Sequence, residues 1–435
     1  MHKNNLDFIN MNKSILKKII LEQKNEINEE QQQCRLIERK IENELKKSLS
    51  DNLIKVIIGV RRSGKSVLAH HVLKDKKYGY VNFDDERLIN FNSEQLDFLL
   101  ETLLELNDNL EYILLDEIQN ISGWELFVNR LKRQGYKIVV TGSNSKLLSK
   151  ELSTHLTGRH LSFELFPFSF QEFLEYKNIK YTKNDFYLSR KRSLIRKALG
   201  EYFQKGSFPE IFNVEFGEKY LLNLYKNIIN EDIVARYNIK YAHALREIAI
   251  YVFTNFASKF TYHKLSKIFE IKSVHTIKNY LDYLEEAYLI FQVHAFSYKL
   301  KNQFRGAKKI YGIDHGLIQS VSAGAFEGNS KIMENIVFLE LMRRGKEVFY
   351  YTDRYGNEVD FVVRDKEKNK INQLIQVSYN VDDEQTYERE VRSLISSSKE
   401  LKCDNLLLIT YDLEDERLID GVKIKFLPLD MFLLF

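Results

Sequence analysis

The sequence predicts an α/β protein whose first part is a parallel sheet with helices between its strands, followed by a helical region and a further α/β part. Three observations carry this. Gly59-Val60-Arg61-Arg62-Ser63-Gly64-Lys65-Ser66 reads G-x-x-x-x-G-K-S, the P-loop pattern, with an apolar run before it (54–58) and a helical opening after it (67–73). Tyr112-Ile113-Leu114-Leu115-Asp116-Glu117 is an apolar strand ending in two carboxylates, 51 residues after Lys65. Strand and helix patterns alternate between and beyond these two stretches, which implies a parallel sheet.

The 435 residues suffice for two to four domains. A hydrophobic share of 44% supports sizeable cores, and a net charge of +4 is too mild to imply nucleic acid without asking where the charge lies. Only two cysteines occur, Cys34 and Cys403, which points to a reducing compartment and away from a disulfide framework or a Cys-rich metal site. No apolar run approaches the roughly 18 residues of a membrane span. The polar start, Met1 to Lys18, lacks the apolar core of a secretory signal. The expected location is cytoplasmic, with no membrane partner.

Residues 1–50 form an N-terminal segment, helical in pattern from Asn12 to Leu49 and without a strong apolar face. It either packs beside the core or serves as a contact arm. The sheet unit spans 51–180. Its expected strands are 54–58, 80–83, 112–115, 138–141 and 163–166, with helices near 67–73, 93–106 and 124–134. Gly59 and Gly64 permit backbone geometry that a Cβ would obstruct. The loop N–H groups and the helix N-terminus then make an anion cradle for ATP or ADP, to which Val60, Arg61, Arg62, Ser63 and Val67 also belong. Lys65 places a cation at the β- and γ-phosphates, and Ser66 and Asp116 hold Mg²⁺. Glu117 is the group to polarise the attacking water. Lys65, Asp116 and Thr141 all point to the carboxyl edge of the sheet, where ligands bind in such folds.

Three further stretches stay open between two readings. Thr141-Gly142-Ser143-Asn144 supplies a γ-phosphate sensor, Asn144 or Ser143, or an ordinary helix cap. Arg159, in Thr157-Gly158-Arg159, is a finger for transition-state charge, in cis or from a neighbouring subunit, or a surface arginine. Asp84-Asp85-Glu86 approaches the metal or forms a solvated turn.

These motifs together resemble a large prokaryotic family of AAA-type P-loop ATPases. The stretches that match it are Gly-Val-Arg-Arg-Ser-Gly-Lys-Ser (59–66), Leu-Leu-Asp-Glu-Ile-Gln-Asn-Ile-Ser-Gly-Trp-Glu (114–125), Thr-Gly-Ser-Asn-Ser-Lys-Leu-Leu (141–148), Thr-Gly-Arg (157–159) and Phe-Pro-Phe-Ser-Phe-Gln-Glu-Phe (166–173). Members join this P-loop NTPase module to a C-terminal domain of unknown function. The resemblance implies Walker A at Lys65 and Ser66, Walker B at Asp116 and Glu117, a sensor at Asn144, and a possible finger at Arg159. Within 181–240, a helical lid or linker, Gly206-Ser207-Phe208-Pro209-Glu210 is similar to the family's Gly-x-x-Pro-Glu element. Pro209 would then pack near the nucleotide base. The alternative is a plain turn between helices.

Residues 241–310 resemble a winged helix: helices at 244–256 and 262–269, a third capped by Ser273 and running to Ala287, then extended segments at 288–293 and 295–298. This stretch holds 11 Lys and Arg against 5 Asp and Glu, an excess of 6, larger than that of the whole chain. In that motif the third helix enters the major groove. The candidate DNA contacts are Lys272, His275, Thr276, Lys278 and Asn279, with Lys299, Lys301, Arg305, Lys308 and Lys309 for phosphates. The other reading is a protein-contacting module.

Residues 311–435 resemble a restriction-endonuclease-like α/β domain. Glu334, Asp360 and Gln376 match its acidic site, but Ser378 stands where the lysine belongs. Without that cation, activation of water is weakened. A degenerate fold used for binding or assembly is the expectation, and a residual metal nuclease the alternative.

The function expected is ATP hydrolysis coupled to DNA binding or remodelling, on DNA that includes branched forms, in a chain that associates with itself if Arg159 acts in trans. The alternatives are a nucleotide-gated regulatory or scaffold protein and an ATP-dependent metal nuclease.

Overall fold

The computed structural model describes residues 12–33, 36–144, 158–322, 328–365 and 367–435. The chain divides into two compact units, one ending at Leu165 and one beginning at Phe166.

The first unit is a five-stranded, wholly parallel sheet. After the helices α1 (Lys13–Gln33) and α2 (Glu42–Ser48) come β1 (Ile54–Ile58), α3 (Lys65–Leu73), β2 (Tyr78–Asn82), α4 (Leu96–Leu106), β3 (Tyr112–Asp116), α5 (Trp124–Arg133), β4 (Lys137–Gly142) and β5 (His160–Glu164). The strand order is β2-β3-β4-β1-β5. β4 therefore lies between the strand that feeds the glycine loop and the strand that ends in Asp116. The strands read as continuous apolar runs because helices cover both faces: one cluster joins Val56, Ile113, Leu115 and Val140 to Trp124 and Val128, and the other joins Ile57, Leu114 and Val139 to Leu68 and Val72. This is the P-loop NTPase arrangement.

The N-terminal segment packs against the core. Leu16, Ile19 and Ile20 of α1 are buried in the same cluster as Val81, Leu99 and Leu103, and each such side chain contributes about 1.5–3 kcal/mol. The weak apolar periodicity hid this because Gln23 shares the buried face. Its amide accepts from Asn82 N at 3.0 Å and donates to Asn82 O at 3.0 Å, satisfying backbone groups of β2, the edge strand. Residues 36–50 lie on α3, where Leu45 and Leu49 meet Leu68, Ala69 and Leu73.

The second unit opens with an aromatic core in which Phe168, Phe173, Tyr176 and Phe212 stack. Thus Phe-Pro-Phe-Ser-Phe-Gln-Glu-Phe serves packing. Helices Ser189–Lys205, Gly217–Asn227 and Ala242–Thr254 follow. Next come β6 (Lys259–Phe260), helices Tyr262–Ile268 and Val274–Glu286, β7 (Ile290–His294), a short helix Leu300–Arg305 and β8 (Lys308–Gly312). The three strands form an antiparallel sheet in the order β6-β8-β7. Ser273 does cap its helix, accepting from Thr276 N. The expected strand at 295–298 is not one. After β7 the chain leaves the three-stranded sheet, makes a single bridge from Ala295 to Tyr350, forms the Leu300–Arg305 helix and returns as β8.

The last part is a six-stranded mixed sheet in the order β13-β14-β12-β11-β10-β9. Its strands are β9 (Glu347–Thr352), β10 (Glu358–Asp365), β11 (Lys370–Val377), β12 (Leu406–Thr410), β13 (Asp415–Ile419) and β14 (Val422–Pro428). Helices Asn329–Arg343 and Glu384–Leu401 precede β9 and β12.

Candidate nucleotide site

The loop between β1 and α3 is shaped by close approach as well as by anion chemistry. Gly59 has φ +156°, and a Cβ there would lie 2.2 Å from the carbonyl oxygen of Leu165. That carbonyl belongs to backbone pinned by the Leu165 N–H to Ile58 O bond of 2.7 Å, so neither side can yield. Gly64, at φ +94°, precedes the first residue of α3. Arg39, reaching in from the N-terminal segment, donates to Ser63 O at 2.9 Å and braces the loop from outside. No sequence signal marked this arginine, because its partner is a main-chain carbonyl 24 residues away.

At the loop's mouth the Lys65 ammonium lies 3.3 Å from Glu117 Oε1 and 3.3 Å from Val60 O. Asp116 is buried and accepts hydrogen bonds from Ser66, Thr141 Oγ1 and, at 3.4 Å, the Tyr80 hydroxyl. Thr141, at the end of the intervening strand β4, also accepts from Glu117 N at 3.1 Å. One hydroxyl thus holds both acids. Gln119 donates to Glu117 Oε2 at 2.5 Å and reaches Ser143 Oγ at 3.4 Å. Glu117 itself has φ +50°, a left-handed geometry that costs a non-glycine residue about 1–3 kcal/mol and gathers at functional sites.

The two acids are shifted in opposite directions. Burial, then the charge of Glu117, pushes Asp116 up to about 6. Burial also acts to raise Glu117, but Lys65, Gln119 and Arg61 outweigh it and hold its carboxyl below the ordinary value. The site therefore sets a carboxyl that ionises readily beside one whose ionisation burial disfavours.

The donor set fits Mg²⁺ and a triphosphate. Ser66 and Asp116 already touch, a hydroxyl and one carboxylate, which suits an ion that takes its other oxygens from phosphate and water. Ser63 Oγ in the loop and Gln119 Oε1 beside Glu117 are buried without a hydrogen-bond partner. Among the described residues no group of three or more His, Cys, Asp or Glu is arranged as an all-protein metal site.

The remaining candidates fall as follows. Arg61 pairs with Asp84 at 3.4 Å, and Arg62 is exposed with φ +69°. Asp85 caps the turn Glu86–Leu88 and binds Arg87 and Gln23, so its carboxyl is held down to about 2 and its role is structural. Asn144 is buried at the carboxyl end of β4, the edge that carries the glycine loop. Arg159 stands at the opposite edge. It precedes His160, which pairs with Ile54 at the start of β1, and it donates to Asn129 Oδ1 at 2.8 Å. A strand length of about 16 Å separates the two edges, so this guanidinium lies out of reach of a nucleotide held by its own chain. Thr157, residues 145–148 of the Thr-Gly-Ser-Asn stretch and Cys34 lie outside the described residues.

In the second unit Pro209 opens the turn Pro209–Phe212. Its neighbours are engaged with Asp314. A Cβ on Gly206 would lie 2.6 Å from Asp314 Oδ1, and Ser207 donates through both N and Oγ to Asp314 Oδ2 at 2.6 Å. Lys272, His275 and Lys278 are exposed and Thr276 and Asn279 half-buried on the Val274–Glu286 helix, and Lys299, Lys301 and Arg305 are exposed beyond β7. Lys308 and Lys309 are corrections. Lys308 donates to the Tyr262 hydroxyl at 2.6 Å, and Lys309 is buried among carboxylates, so neither faces a phosphate. Glu334 and Asp360 do converge, on the Lys309 ammonium, while Gln376 accepts from Asp360 N at 3.2 Å and donates to Glu390 at 2.6 Å. Among the described residues no helix is long and apolar enough to cross a membrane.

Comparison with known proteins bears on the family. Residues 51–174 match the model of an AAA domain; residues 196–327 and 329–432 match two domains of unknown function, DUF8612 and DUF4143. An uncharacterized protein of Methanocaldococcus jannaschii is 40% identical over 367 residues, 81% of this chain and 80% of its own length. One from Haemophilus influenzae is 32% identical over 329 residues, 72% of this chain and 80% of its own. Among solved structures, a Walker-type ATPase of Pyrococcus abyssi overlaps with TM-score 0.42 at 16% identity, over 66% of this chain and 96% of that one. The Orc1 protein of Aeropyrum pernix, solved in complex with DNA, overlaps with TM-score 0.32 at 13% identity, over 67% of this chain and 94% of that one. The identity and the length shared with the first two relatives, together with the domain order, decide the assignment: the chain belongs to the prokaryotic family of AAA-type P-loop ATPases that carry C-terminal domains of unknown function.

Proposed function

We propose that this chain hydrolyses ATP at the Lys65–Asp116–Glu117 site and couples the turnover to DNA held by the 241–310 module. The observation that carries the ATPase half is the Lys65–Glu117 ion pair at 3.3 Å, beside an Asp116 already hydrogen-bonded to Ser66. A triphosphate entering the loop competes for Lys65 and frees Glu117 to orient a water, its charge kept by Gln119. Bound Mg²⁺, held by Ser66 and Asp116, would supply charge neutralisation at the β- and γ-oxygens. Thr141 fixes the spacing of the two acids, and we assign γ-phosphate sensing to Asn144, buried just beyond β4. Arg159, finding no cis target, acts on a neighbouring copy.

The DNA half rests on the layout of the Val274–Glu286 helix, which with β6, β7 and β8 we read as a winged helix. Its first turns expose His275 and Lys278, and Lys272 is exposed just before its N-cap. Its acids are engaged at the other end: Glu285 and Asp282 accept from Gln292, and Glu286 from Tyr237. The exposed basic end suits phosphate. One observation favours a second reading, a nucleotide-gated regulatory protein: Tyr298, Leu300 and Phe304 expose 74%, 63% and 65% of their surface in the β7–β8 connection, as a protein-contact surface would.

The deciding experiment measures ATP turnover with and without single-stranded, duplex and branched DNA, at about 50 and 200 mM salt, with mass determined in parallel. Stimulation by DNA that fades steeply with salt supports the first reading. Turnover indifferent to every DNA, with no salt-dependent binding, refutes it and leaves the regulatory one.

A further inference from the structure

We infer that the acidic pocket at the start of β10 is an intramolecular ammonium site, in which Lys309 holds the place a divalent cation would take and thereby fastens the three-stranded sheet to the six-stranded one. Three carboxylates from two elements meet one nitrogen. Lys309 Nζ lies 2.7 Å from Glu358 Oε1, 2.9 Å from Glu334 Oε1 and 3.1 Å from Asp360 Oδ1. An ammonium carries three donors and no acceptor, so its bonding is complete.

The surroundings are built for this ion. The other oxygen of Glu358 takes Lys259, which comes from β6 and also donates to Thr352 Oγ1 at 2.8 Å. Both lysines lie over the Tyr350 ring, at 5.8 and 5.5 Å from its centroid. The Tyr311 hydroxyl donates to Glu334 Oε1 at 2.6 Å. Val377 N donates to Asp360 Oδ2 at 3.0 Å, which fixes the second face of that carboxylate. Lys309 is 2% exposed.

The charge balance agrees. Two lysines, Lys259 and Lys309, face the three carboxylates Glu334, Glu358 and Asp360, so most of the negative charge is compensated within the cluster. Ser378, at the position where a nuclease lysine belongs, donates instead to Asn380 O at 2.9 Å. With Lys309 in place the three carboxylates form no group that could hold a metal ion; an oxygen-only set of this kind would suit a hard divalent ion only once the ammonium were removed. Removing one partner of such a buried cluster strands uncompensated charge, which makes it a rigid joint. The domain therefore takes no divalent ion and cleaves no phosphodiester, and its acids act as the clasp for the module that carries the basic helix.

The test uses Mn²⁺ alone as probe, on the full chain without nucleotide, with bound ion counted by electron paramagnetic resonance. Wild type and Asp360→Asn are expected to bind equal amounts. Lys309→Ala is expected to bind one more ion per chain, and Lys309→Ala with Asp360→Asn to lose it again. A wild-type stoichiometry that falls by one in Asp360→Asn overturns the inference, and so does a folded Lys309→Ala that gains nothing. If Lys309→Ala does not fold, thermal unfolding of Lys309→Met against Lys309→Met with Glu334→Gln decides. The double variant should melt higher than the single one. A single variant as stable as wild type overturns the clasp.

Discussion

Asp116→Asn gives the sharpest thermodynamic handle on the nucleotide site. The carboxyl is pushed from 3.8 to about 6, by burial first and then by Glu117. About two units correspond to roughly 3 kcal/mol at about 1.4 kcal/mol each. The sign follows from linkage. A carboxyl raised in the folded state binds its proton more tightly there, so its contribution is fully present below the unfolded value near 4 and is lost as pH rises through about 6. At pH 8 the ionised Asp116 thus costs the apoprotein stability that asparagine does not cost. Against this, asparagine turns an NH₂ toward at least one of the three donors Ser66, Thr141 and Tyr80, at about 1 kcal/mol. The net expectation is a gain of about 1–2 kcal/mol at pH 8 that disappears by about pH 5, together with loss of Mg²⁺-dependent ATP affinity. The assay is urea unfolding followed through Trp124, the only tryptophan, which is buried in the first unit's core, with calorimetry for ATP. An Asp116→Asn protein less stable than wild type at pH 8, or one with unaltered Mg²⁺ dependence, would refute the reasoning.

Gly59→Ala should destabilise the first unit by more than about 3 kcal/mol and abolish nucleotide binding, since its Cβ would meet Leu165 O at 2.2 Å; Trp124 unfolding and ATP titration report both. Glu117→Gln should lower turnover at least about 100-fold while leaving ATP affinity equal or higher, because Lys65 loses its competing partner; a parallel loss of affinity contradicts the base assignment. Lys272→Ala with Lys278→Ala should weaken DNA binding alike on all sequences and reduce the slope of log affinity against log salt by about 2; an unchanged slope removes these two lysines from the interface.

The parallel sheet was legible because β1, β3 and β4 are mostly apolar runs bounded by polar turns, and β1 falls at the expected residues. β5 lies earlier than expected, at His160–Glu164, because Leu165 and Phe166, though apolar, are buried after the strand has ended. β9 and β13 escaped notice: β13, Asp-Glu-Arg-Leu-Ile, alternates half-buried with exposed positions and begins with three charged residues. In the candidate nucleotide site, the residues expected to meet phosphate or metal were readable from spacing, whereas those that hold them were not. Arg39 acts on a carbonyl and belongs to no pattern in its own stretch; Gln119 and Thr141 lie in the stretches 114–125 and 141–148, but nothing in their spacing shows that they hold the acids. Lys309 shows the limit of counting charge. It adds to a basic stretch, yet two of its partners lie 25 and 51 residues further on, and only the fold brings them together.

The most direct test is steady-state ATP hydrolysis with Mg²⁺ by wild type and Lys65→Ala, each checked for the native Trp124 signal. Wild type should turn over ATP in a Mg²⁺-dependent manner, and folded Lys65→Ala should not. Equal turnover by the two proteins, or none by wild type under every nucleotide and DNA condition, would contradict the account.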